Sequence, residues 1–428
     1  MPSRDVRGRR VIAWVAPTPD RPVRGSVVVP GSKSATARAH VLAALADGPS
    51  RLVGALDARD TRLMRTALAS LGVTYTDHED GSVTVTPPER FSAGAVDVGL
   101  AGTIMRFVPP LAALADGPTP FTGDPEAEAR PVAPLLDGLA QAGVRIDGRS
   151  LPFTVHGTGS VRGGEATIDA SGSSQFVSGL VLSAARFEEG LTLHHRGLTV
   201  PSRPHIGLTL AMLRDRGVDA EEVGQTSWRV RPGTIAARDE TIEPDLVNAA
   251  VFLAAALPTN GAVTVAWPQH TLQAGETILG VLDALGGIVT RTDGFVTVSG
   301  TGRVRGADLD LTDASELTCI AAALLAIADG PGSIRGVAHV RGHETDRLAA
   351  LETELSARGA GVRQTADGLA IAPRPLAGGL WRTYADHRMA HAGAVLGLAV
   401  PGVELDDVGA TTKTMADFAA LWADLVQP

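Results

Sequence analysis

The sequence repeats one pattern six times, and this repeat restricts the possible folds more than any other feature. In each copy, an Ala- and Leu-rich run typical of a helix ends at a glycine turn and is followed by a short strand-like run. The turn glycines lie 69 to 73 residues apart and are Gly48, Gly117, Gly190, Gly261, Gly330 and Gly402. A second series of helix-ending glycines has gaps of 69 to 74 residues and comprises Gly72, Gly143, Gly217, Gly286 and Gly359. Two series with one period predict six copies of a single structural unit.

Each copy is interpreted as a βαβαββ unit, and the copies suggest how the chain divides into lobes. The sixth copy stops after its second helix and lacks its last strands, whereas the apolar run VIAWVA at residues 11–16 belongs to no copy. We therefore expect this N-terminal run to supply a strand to the C-terminal half. With three copies per lobe, the prediction is one lobe over residues 23–238 and a second over residues 1–22 plus 239–428. A purely structural solenoid is the alternative that the repeat alone leaves open.

Composition and charge argue against several classes of protein. The net charge of -9 and the aromatic content of 4% disfavour nucleic-acid binding, which needs a basic surface and rings for base stacking. The single cysteine, Cys319, allows no internal disulfide, and the N-terminal residues lack the apolar segment of a signal peptide. The longest uncharged apolar run, residues 317–328, is too short to cross a bilayer. We expect a cytoplasmic protein without membrane-spanning segments.

Nearly every unusual polar cluster falls where a strand is expected to end and a helix to begin. The clusters before the first helices are PGSKSATAR, GLAGTIMR, SGSSQF, EPDLVN, LTDASE and YADHRM. Those before the second helices are LDARDTR, GDPEAEARP, VPSRPH, WPQHTLQAGE, RGHETDR and VGATTKT. Helix N-termini carry unpaired N–H groups and a partial positive charge, and ligands favour the carboxyl ends of strands in α/β folds. Clustering at equivalent junctions therefore predicts a site for anionic ligands.

Each cluster also has a purely structural interpretation. PGSKS lacks the spacing of a nucleotide P-loop, so it does not imply ATP, and its serines could simply cap a helix. Glu344 and Arg347 are three residues apart and could form a surface ion pair. A metal site made from His343, Glu344, Asp386 and His387 matches no standard ligand spacing. Cys319 lies in an apolar helical run and is expected in the core.

The motifs PGSKS, AGTIMR, SSQF, HETDRL and DHRMA, in this order and spacing, resemble those of the enolpyruvyl transferase family. The resemblance extends from Val23 to Trp422 and is greatest to members that act on shikimate 3-phosphate. It implies an α/β fold with two lobes, each an inside-out α/β barrel of three βαβαββ units with helices packed inside the strands. It also implies transfer of the carboxyvinyl group of phosphoenolpyruvate to the 5-hydroxyl of shikimate 3-phosphate through a tetrahedral intermediate. By the same resemblance we expect a monomer of the shikimate pathway without metal or organic cofactor.

The resemblance also assigns residues of this sequence to each substrate. The expected phosphoenolpyruvate-binding residues are Lys33, Gly102, Arg130, Arg347, Arg388 and Lys413. The expected shikimate 3-phosphate-binding residues are Lys33, Ser34, Arg38, Ser173, Ser174, Gln175, Ser202 and Asp313. Chemically, Asp313 suits the base at the acceptor hydroxyl and Glu344 the acid that protonates the methylene carbon. Lys33 and Lys413 suit the neutralisation and protonation of phosphate oxygens.

The sequence departs from the family pattern mainly where the acceptor would bind. Ala37, Leu100, His205 and His343 replace residues that many members carry as asparagine, asparagine, tyrosine and lysine, and the segment DPEAEARP has Glu126 and Glu128 where relatives often have basic residues. The sister enzyme that acts on UDP-N-acetylglucosamine normally has a cysteine or aspartate on a loop of the first lobe, and GDPEAEARP has no cysteine. That enzyme and a non-catalytic, anion-binding paralogue are the alternatives. Gly102 leaves space beside the enolpyruvyl site, which predicts inhibition by glyphosate.

Overall fold

The structure, a computed structural model, describes residues 13–427 as short strands and helices that alternate along the chain. The strands are β1 (Trp14–Val15), β2 (Arg24–Val27), β3 (Ser50–Val53), β4 (Thr74–Asp77), β5 (Val83–Thr86), β6 (Val96–Asp97), β7 (Asp116–Thr122), β8 (Arg145–Asp147), β9 (Phe153–Thr158), β10 (Gly164–Ile168), β11 (Leu191–His195), β12 (Ala220–Glu222), β13 (Ser227–Val230), β14 (Glu240–Thr241), β15 (Ala262–Ala266), β16 (Ile288–Thr292), β17 (Phe295–Ser299), β18 (Asp308–Asp310), β19 (Gly332–Arg335), β20 (Gly361–Gln364), β21 (Leu369–Ala372), β22 (Gly379–Trp381) and β23 (Val403–Leu405).

The helices are α1 (Lys33–Leu45), α2 (Arg59–Ser70), α3 (Gly102–Phe107), α4 (Pro109–Ala112), α5 (Pro125–Glu128), α6 (Ala133–Gln141), α7 (Ser174–Ser183), α8 (Pro204–Arg214), α9 (Leu246–Ala254), α10 (Ala256–Thr259), α11 (Gly275–Ala284), α12 (Thr318–Ala326), α13 (Arg347–Ala357), α14 (His387–Gly397) and α15 (Phe418–Val426). Short 3-10 segments occur at Ala184–Arg186, Ser315–Leu317, Ala338–Gly342 and Val408–Lys413. Along residues 13–427, none of the helices has both the length and the apolar character required to cross a lipid bilayer.

The chain forms two compact units. The central unit is Pro30–Glu243, and the split unit combines the described parts of Met1–Val29 and Pro244–Pro428. The sequence analysis predicted that the first lobe begins at residue 23 and that the second lobe resumes at residue 239. The structure places them a few residues later because β2 pairs with β15 of the split unit, whereas β14 pairs with β3 of the central unit.

Each unit contains three small sheets, one for each copy of the repeat. The strand orders are β14-β3-β5-β4, β6-β7-β9-β8 and β10-β11-β13-β12 in the central unit, and β16-β17-β15-β2, β18-β19-β21-β20 and β1-β23-β22 in the split unit. In each four-stranded sheet, one parallel pair is followed by two antiparallel pairs, as in β6 with β7, β7 with β9 and β9 with β8. Five four-stranded sheets of one design, and a three-stranded sixth with one parallel and one antiparallel pair, confirm the predicted repeat.

The N-terminal strand completes the sheet of the sixth copy, as the sequence predicted. Trp14 of β1 lies opposite Leu405 of β23 in an antiparallel pair, and Gly379 of β22 lies opposite Val403 of β23 in a parallel pair. Strand β1 therefore takes the place of a missing last strand. Residues 11 and 12 of the predicted run lie outside the described part of the chain.

The first helices of the copies form the centre of each unit. In the split unit, α12 and α14 are buried along their whole length, and α9, α12 and α14 contact one another. The α12 sequence is apolar on nearly all sides, which is typical of a helix without a solvent-facing surface, whereas α14 also carries buried histidine and arginine side chains in its first turns. The second helices, such as α2 and α13, keep exposed positions on their outer faces. Helices inside strands confirm the predicted inside-out architecture.

Candidate active site

The opening turn of α1 holds Lys33 at the start of a buried helix. Gly31 lies so close to Gly54 that a Cβ atom at position 31 would be 2.1 Å from the Gly54 carbonyl oxygen. Only glycine permits this approach. The side chain of Ser32 caps α1 by accepting a hydrogen bond from the Ala35 N–H at 3.3 Å. Lys33, the first helical residue, places its Nζ atom 3.5 Å from Oδ2 of the buried Asp60 carboxylate.

Arg38 lies on the same helix as Lys33 and is almost completely buried. Its Nε atom donates to Thr209 Oγ1 at 2.8 Å, and its Nη atoms donate to the Ser34 carbonyl, Ser178 Oγ and the His205 carbonyl. These are all neutral acceptors. Burial lowers the pKa of Arg38 to about 9, so the guanidinium group keeps its charge at neutral pH. The central unit therefore contains a buried cation without a carboxylate among its hydrogen-bond partners in residues 13–427.

Gly102 begins α3 and is surrounded by two guanidinium groups. A Cβ atom at position 102 would lie 2.7 Å from Arg106 Nη1, 2.8 Å from Arg130 Nη2 and 3.2 Å from Gln175 Oε1. Arg106 is fixed by bonds to Gln175 Oε1 at 2.7 Å and to the Pro131 carbonyl. Arg130 Nη1 donates to the Leu100 carbonyl at 2.8 Å, and its buried Nε atom has no hydrogen-bond partner in the described chain. A glycine here gives both arginines room beside the backbone.

The serine motif of the third copy lies at the start of α7. Ser173 is the N-cap and accepts a hydrogen bond from the Gln175 N–H at 3.2 Å, and Ser174 is the first, buried residue of the helix. Ser202 is also buried, and its φ of 51° places it in a left-handed turn just before α8. The structure thus brings Gln175 to Arg106 and Gly102, and it places the three serines at two helix starts.

In the split unit, Arg347 is the centre of a buried ionic network. Its Nε and Nη2 atoms donate to the two Asp386 carboxylate oxygens at 2.8 and 3.2 Å. Nη2 also donates to Glu344 Oε2 at 3.0 Å, and Nη1 contacts His343 Nδ1 at 3.0 Å. Burial by itself would lower the pKa of Arg347, but the carboxylates of Asp386 and Glu344 outweigh it and raise that pKa above its ordinary value.

Glu344 joins this network to Lys413. Its Oε1 atom lies 2.5 Å from Lys413 Nζ, while its other oxygen is held by Arg347. Both side chains of the Glu344–Lys413 pair are less than 10% exposed. One carboxylate is therefore fixed between two cations, where the Lys413 ammonium group can pass a proton to it along the short contact.

Arg388, in the first turn of α14, is held differently from Arg347. Asp386 caps this helix by accepting a hydrogen bond from the Arg388 N–H at 2.8 Å. The guanidinium Nη1 atom donates to the amide oxygen of Asn248 at 3.1 Å. Burial lowers the pKa of Arg388, and the carboxylate of Asp245 partly offsets this effect. Asp245 and Asn248 belong to the EPDLVN cluster of the fourth copy.

Asp313 forms no hydrogen bond with this network in the described chain. It is an exposed residue in the turn between β18 and the 3-10 segment Ser315–Leu317, and no hydrogen bond joins it to another residue of the described chain. Of the four residues considered as metal ligands, His343, Glu344 and Asp386 contact Arg347, and His387 contacts Asp386. Within residues 13–427, no group of three or more His, Cys, Asp or Glu side chains is arranged to hold a metal ion. Cys319 is buried in α12, as expected for a core residue.

Sequence reasoning missed the residues that hold the proposed ligand-binding side chains. Asp60 accompanies Lys33, Asp386 holds Arg347, Asn248 holds Arg388, and Arg106 lies beside Gly102. All four lie inside polar clusters at helix starts, which was the available signal. Arg106 and Gly102 lie in one motif, but the other three pairs are 27, 39 and 140 residues apart, so the motifs alone did not show which of these side chains would meet.

Comparison with solved structures identifies the fold. The structure is similar to an EPSP synthase from Acinetobacter baumannii, with a TM-score of 0.79 and 22% identity over 97% of each chain. It is also similar to the enolpyruvyl transferase NikO from Streptomyces tendae, with a TM-score of 0.76 and 19% identity over 95% of this chain and 96% of that chain. At these identities, the likeness shows the fold: this is the enolpyruvyl transferase fold.

Sequence comparison narrows this class to one family. A sequence model of the EPSP synthase family, described as 3-phosphoshikimate 1-carboxyvinyltransferase, matches residues 17–422. The 3-phosphoshikimate 1-carboxyvinyltransferase of Kocuria rhizophila is 54% identical over 428 residues, which cover 96% of each chain. The chain therefore belongs to the EPSP synthase family, and the resemblance seen in the motifs is confirmed.

Proposed function

We propose that this chain transfers the carboxyvinyl group of phosphoenolpyruvate to the 5-hydroxyl of shikimate 3-phosphate, forming 5-enolpyruvylshikimate 3-phosphate and phosphate. The family match and the name of the relative with 54% identity support this activity. The structural observation that carries the proposal is the buried Glu344 carboxyl group, fixed between Lys413 and Arg347. This arrangement provides a proton donor beside cations that attract an anionic substrate.

Phosphoenolpyruvate carries a phosphate and a carboxylate, so its binding residues must be cationic. In the split unit, we assign it to Arg347, Arg388 and Lys413, all of which are buried. In the central unit, we assign Lys33 and Arg130 to the same substrate, with Gly102 leaving space beside Arg130. Buried cations act in a low dielectric, where their attraction for an anion is stronger than in water.

Shikimate 3-phosphate is assigned to residues at the helix starts of the central unit, together with Asp313. The assigned residues are Lys33, Ser34, Arg38, Ser173, Ser174, Gln175 and Ser202. Hydroxyl groups and free N–H groups at helix starts are suited to phosphate oxygens. Arg38 already bonds to Thr209, Ser178 and two carbonyls, so we infer that it acts largely through its charge and by fixing these neighbours.

In the proposed addition step, Asp313 accepts the proton of the 5-hydroxyl group while the hydroxyl oxygen attacks C2 of phosphoenolpyruvate. Glu344 donates its proton to C3, which gives a tetrahedral intermediate with a new methyl group. In the elimination step, Glu344 takes a proton back from this methyl group, and the bond between C2 and the phosphate oxygen breaks. Lys413 and Lys33 neutralise the departing phosphate, which finally carries the proton from the hydroxyl group. The 2.5 Å contact between Glu344 and Lys413 supports these two roles.

A phosphate-release assay with each acceptor tests the proposed function. With phosphoenolpyruvate present, we expect release with shikimate 3-phosphate and none with UDP-N-acetylglucosamine. Release only with the nucleotide sugar would identify the sister activity, and release with neither would identify a non-catalytic paralogue.

The variant Glu344→Gln tests the role of the carboxyl group. The amide keeps the size of the side chain but cannot donate an acidic proton, so we expect kcat to fall by about 10²-fold or more. The melting temperature should fall, because the amide leaves Arg347 and Lys413 without one carboxylate partner, so kcat is compared well below the melting temperature of the variant. A variant with wild-type kcat would remove Glu344 from the proposed mechanism.

We also propose that the enzyme acts as a monomer in the cytoplasm. Its only cysteine, Cys319, is a free and buried thiol, which suits a reducing compartment. Light scattering coupled to size-exclusion chromatography tests the oligomeric state. A mass well above 44.1 kDa would contradict the monomer.

A further inference from the structure

The two buried arginines of the split unit are held by different kinds of partner. Arg347 bonds directly to the carboxylates of Asp386 and Glu344, which offset part of its charge. Arg388 forms no hydrogen bond to a carboxylate in the described chain, and its only side-chain partner is the neutral amide of Asn248. The carboxylates of Asp245, Glu316 and Asp386 act on the Arg388 guanidinium group only through space, and burial still lowers its pKa. The charge of Arg388 is therefore less directly compensated than that of Arg347.

Asn248 is fixed at the meeting point of two segments. Its backbone N–H donates to Asp245 Oδ1 at 2.9 Å, which places Asn248 in the capped first turn of α9. Its amide oxygen accepts from Arg388 Nη1 at 3.1 Å, and its amide nitrogen donates to the Thr414 carbonyl at 3.4 Å. Thr414 directly follows Lys413. The fully buried Asn248 side chain thus contacts Arg388 and the segment that carries Lys413.

We propose that Asn248 is a positioning residue for phosphoenolpyruvate: its neutral amide orients Arg388 and leaves the charge of Arg388 for the substrate. This inference rests on the proposed function, in which Arg388 and Lys413 bind phosphoenolpyruvate. An acidic residue at position 248 would orient Arg388 equally well, but it would form an internal ion pair that competes with the anionic substrate. An amide satisfies the same N–H group without that competition.

The isosteric variant Asn248→Asp separates orientation from charge. Position 248 is in the first turn of α9, where a helix N-terminus favours a negative charge, and the new carboxylate would face a buried guanidinium group. The variant loses the bond from the side chain to the Thr414 carbonyl, but the new ion pair and the helix N-terminus offset that loss. We therefore expect it to fold and to melt close to the wild-type temperature. We expect KM for phosphoenolpyruvate to rise by about 30-fold, which corresponds to a loss of about 2 kcal/mol. KM for shikimate 3-phosphate should change by less than about 3-fold, since a charge at one substrate's site leaves the other largely unaffected.

Asn260→Asp is the matched control. Asn260 is exposed at the C-terminal end of α10 in the same unit, and its φ of 53° is one that aspartate also adopts. This control adds the same charge to the same unit and should leave both KM values unchanged. The variant Asn248→Ser removes the amide but leaves Arg388 charged, so its KM for phosphoenolpyruvate should lie between those of the wild type and Asn248→Asp.

Steady-state kinetics and melting curves of the wild type and the three variants test the proposal. A rise in KM confined to phosphoenolpyruvate and ordered as wild type, Asn248→Ser, Asn248→Asp supports the inference. An active Asn248→Asp variant with wild-type KM overturns it, as does an Asn248→Ser variant with a KM as high as that of Asn248→Asp. If Asn248→Asp does not fold, an unchanged KM in Asn248→Ser still overturns it. Inactivity of the wild type would instead refute the proposed function.

Discussion

Replacing Gly102 by alanine should weaken phosphoenolpyruvate binding without unfolding the protein. The added Cβ atom would lie 2.7 Å from Arg106 Nη1 and 2.8 Å from Arg130 Nη2, both inside the closest normal contact distance. At least one guanidinium group must move. The bonds at risk are those from Arg106 to Gln175, at 2.7 Å, and from Arg130 to the Leu100 carbonyl, at 2.8 Å.

The magnitude follows from the bonds that the movement breaks. A hydrogen bond with a charged partner contributes about 1.5–3 kcal/mol, which corresponds to roughly 10- to 150-fold in binding. We therefore expect KM for phosphoenolpyruvate to rise by at least about 10-fold. Glyphosate, predicted to occupy the enolpyruvyl site, should inhibit the wild type in competition with phosphoenolpyruvate and inhibit Gly102→Ala more weakly.

The assay is phosphate release at varied phosphoenolpyruvate concentration, with and without glyphosate. Gly207→Ala is the control, because Gly207 lies in α8 of the same unit and a Cβ atom there would meet no atom within 4 Å. This control should retain wild-type KM and inhibition. A Gly102→Ala enzyme with the same two properties would refute the argument that the space beside Arg130 limits binding. Glyphosate binding that is unaffected by saturating phosphoenolpyruvate would contradict a shared site.

Three further predictions follow from the burial and charge of single residues. Arg347→Lys replaces a fork that spans both Asp386 oxygens with a point charge, so kcat/KM for phosphoenolpyruvate should fall by about 10²-fold or more, and a value within threefold of wild type would contradict the proposed role. Burial raises the pKa of Cys319 to about 12, so a thiol reagent should label it only after unfolding, and rapid labelling of the native enzyme would contradict its core position. Burial lowers the pKa of His40 to about 3, so the unfolded chain binds this proton more readily and the free energy of unfolding should decrease as pH falls below 6.5, by about 2 kcal/mol at pH 5. Urea unfolding at pH 7 and pH 5 should show a smaller loss for His40→Leu, and an equal loss would contradict this assignment.

The repeat made most of the fold predictable from the sequence. Glycine turns at a fixed period predicted six βαβαββ copies, and the incomplete sixth copy predicted that the run containing Trp14 would supply a strand. These predictions succeeded because they depend on local patterns and on the need to complete a sheet. These patterns did not predict that β2 joins a sheet of the split unit and that β14 joins a sheet of the central unit. At four and two residues, both strands are too short to carry a signal for a partner, so three-dimensional packing decides which sheet each one joins.

The candidate site was predictable to a smaller extent. Helix capping by Ser32 and Ser173 followed from their positions before apolar helical runs. The support of Arg388 by Asn248 did not follow, because the two residues are 140 positions apart and each is also a plausible local capping or packing residue. Motifs identify which chemical groups are present at the helix starts. Their partners, and hence their charge compensation, depend on how distant copies pack.

In the sequence, the central unit lies between the two segments of the split unit, and this order determines when the split unit can form during synthesis. Strand β2 must wait for β15, and β1 must wait for β23, which lies near the end of the described chain. At a ribosomal rate of about 5–20 residues per second, β1 emerges tens of seconds before its partner. The contiguous residues 30–243 can fold during this interval, whereas the two N-terminal strands remain unpaired edges exposed to other chains and to chaperones.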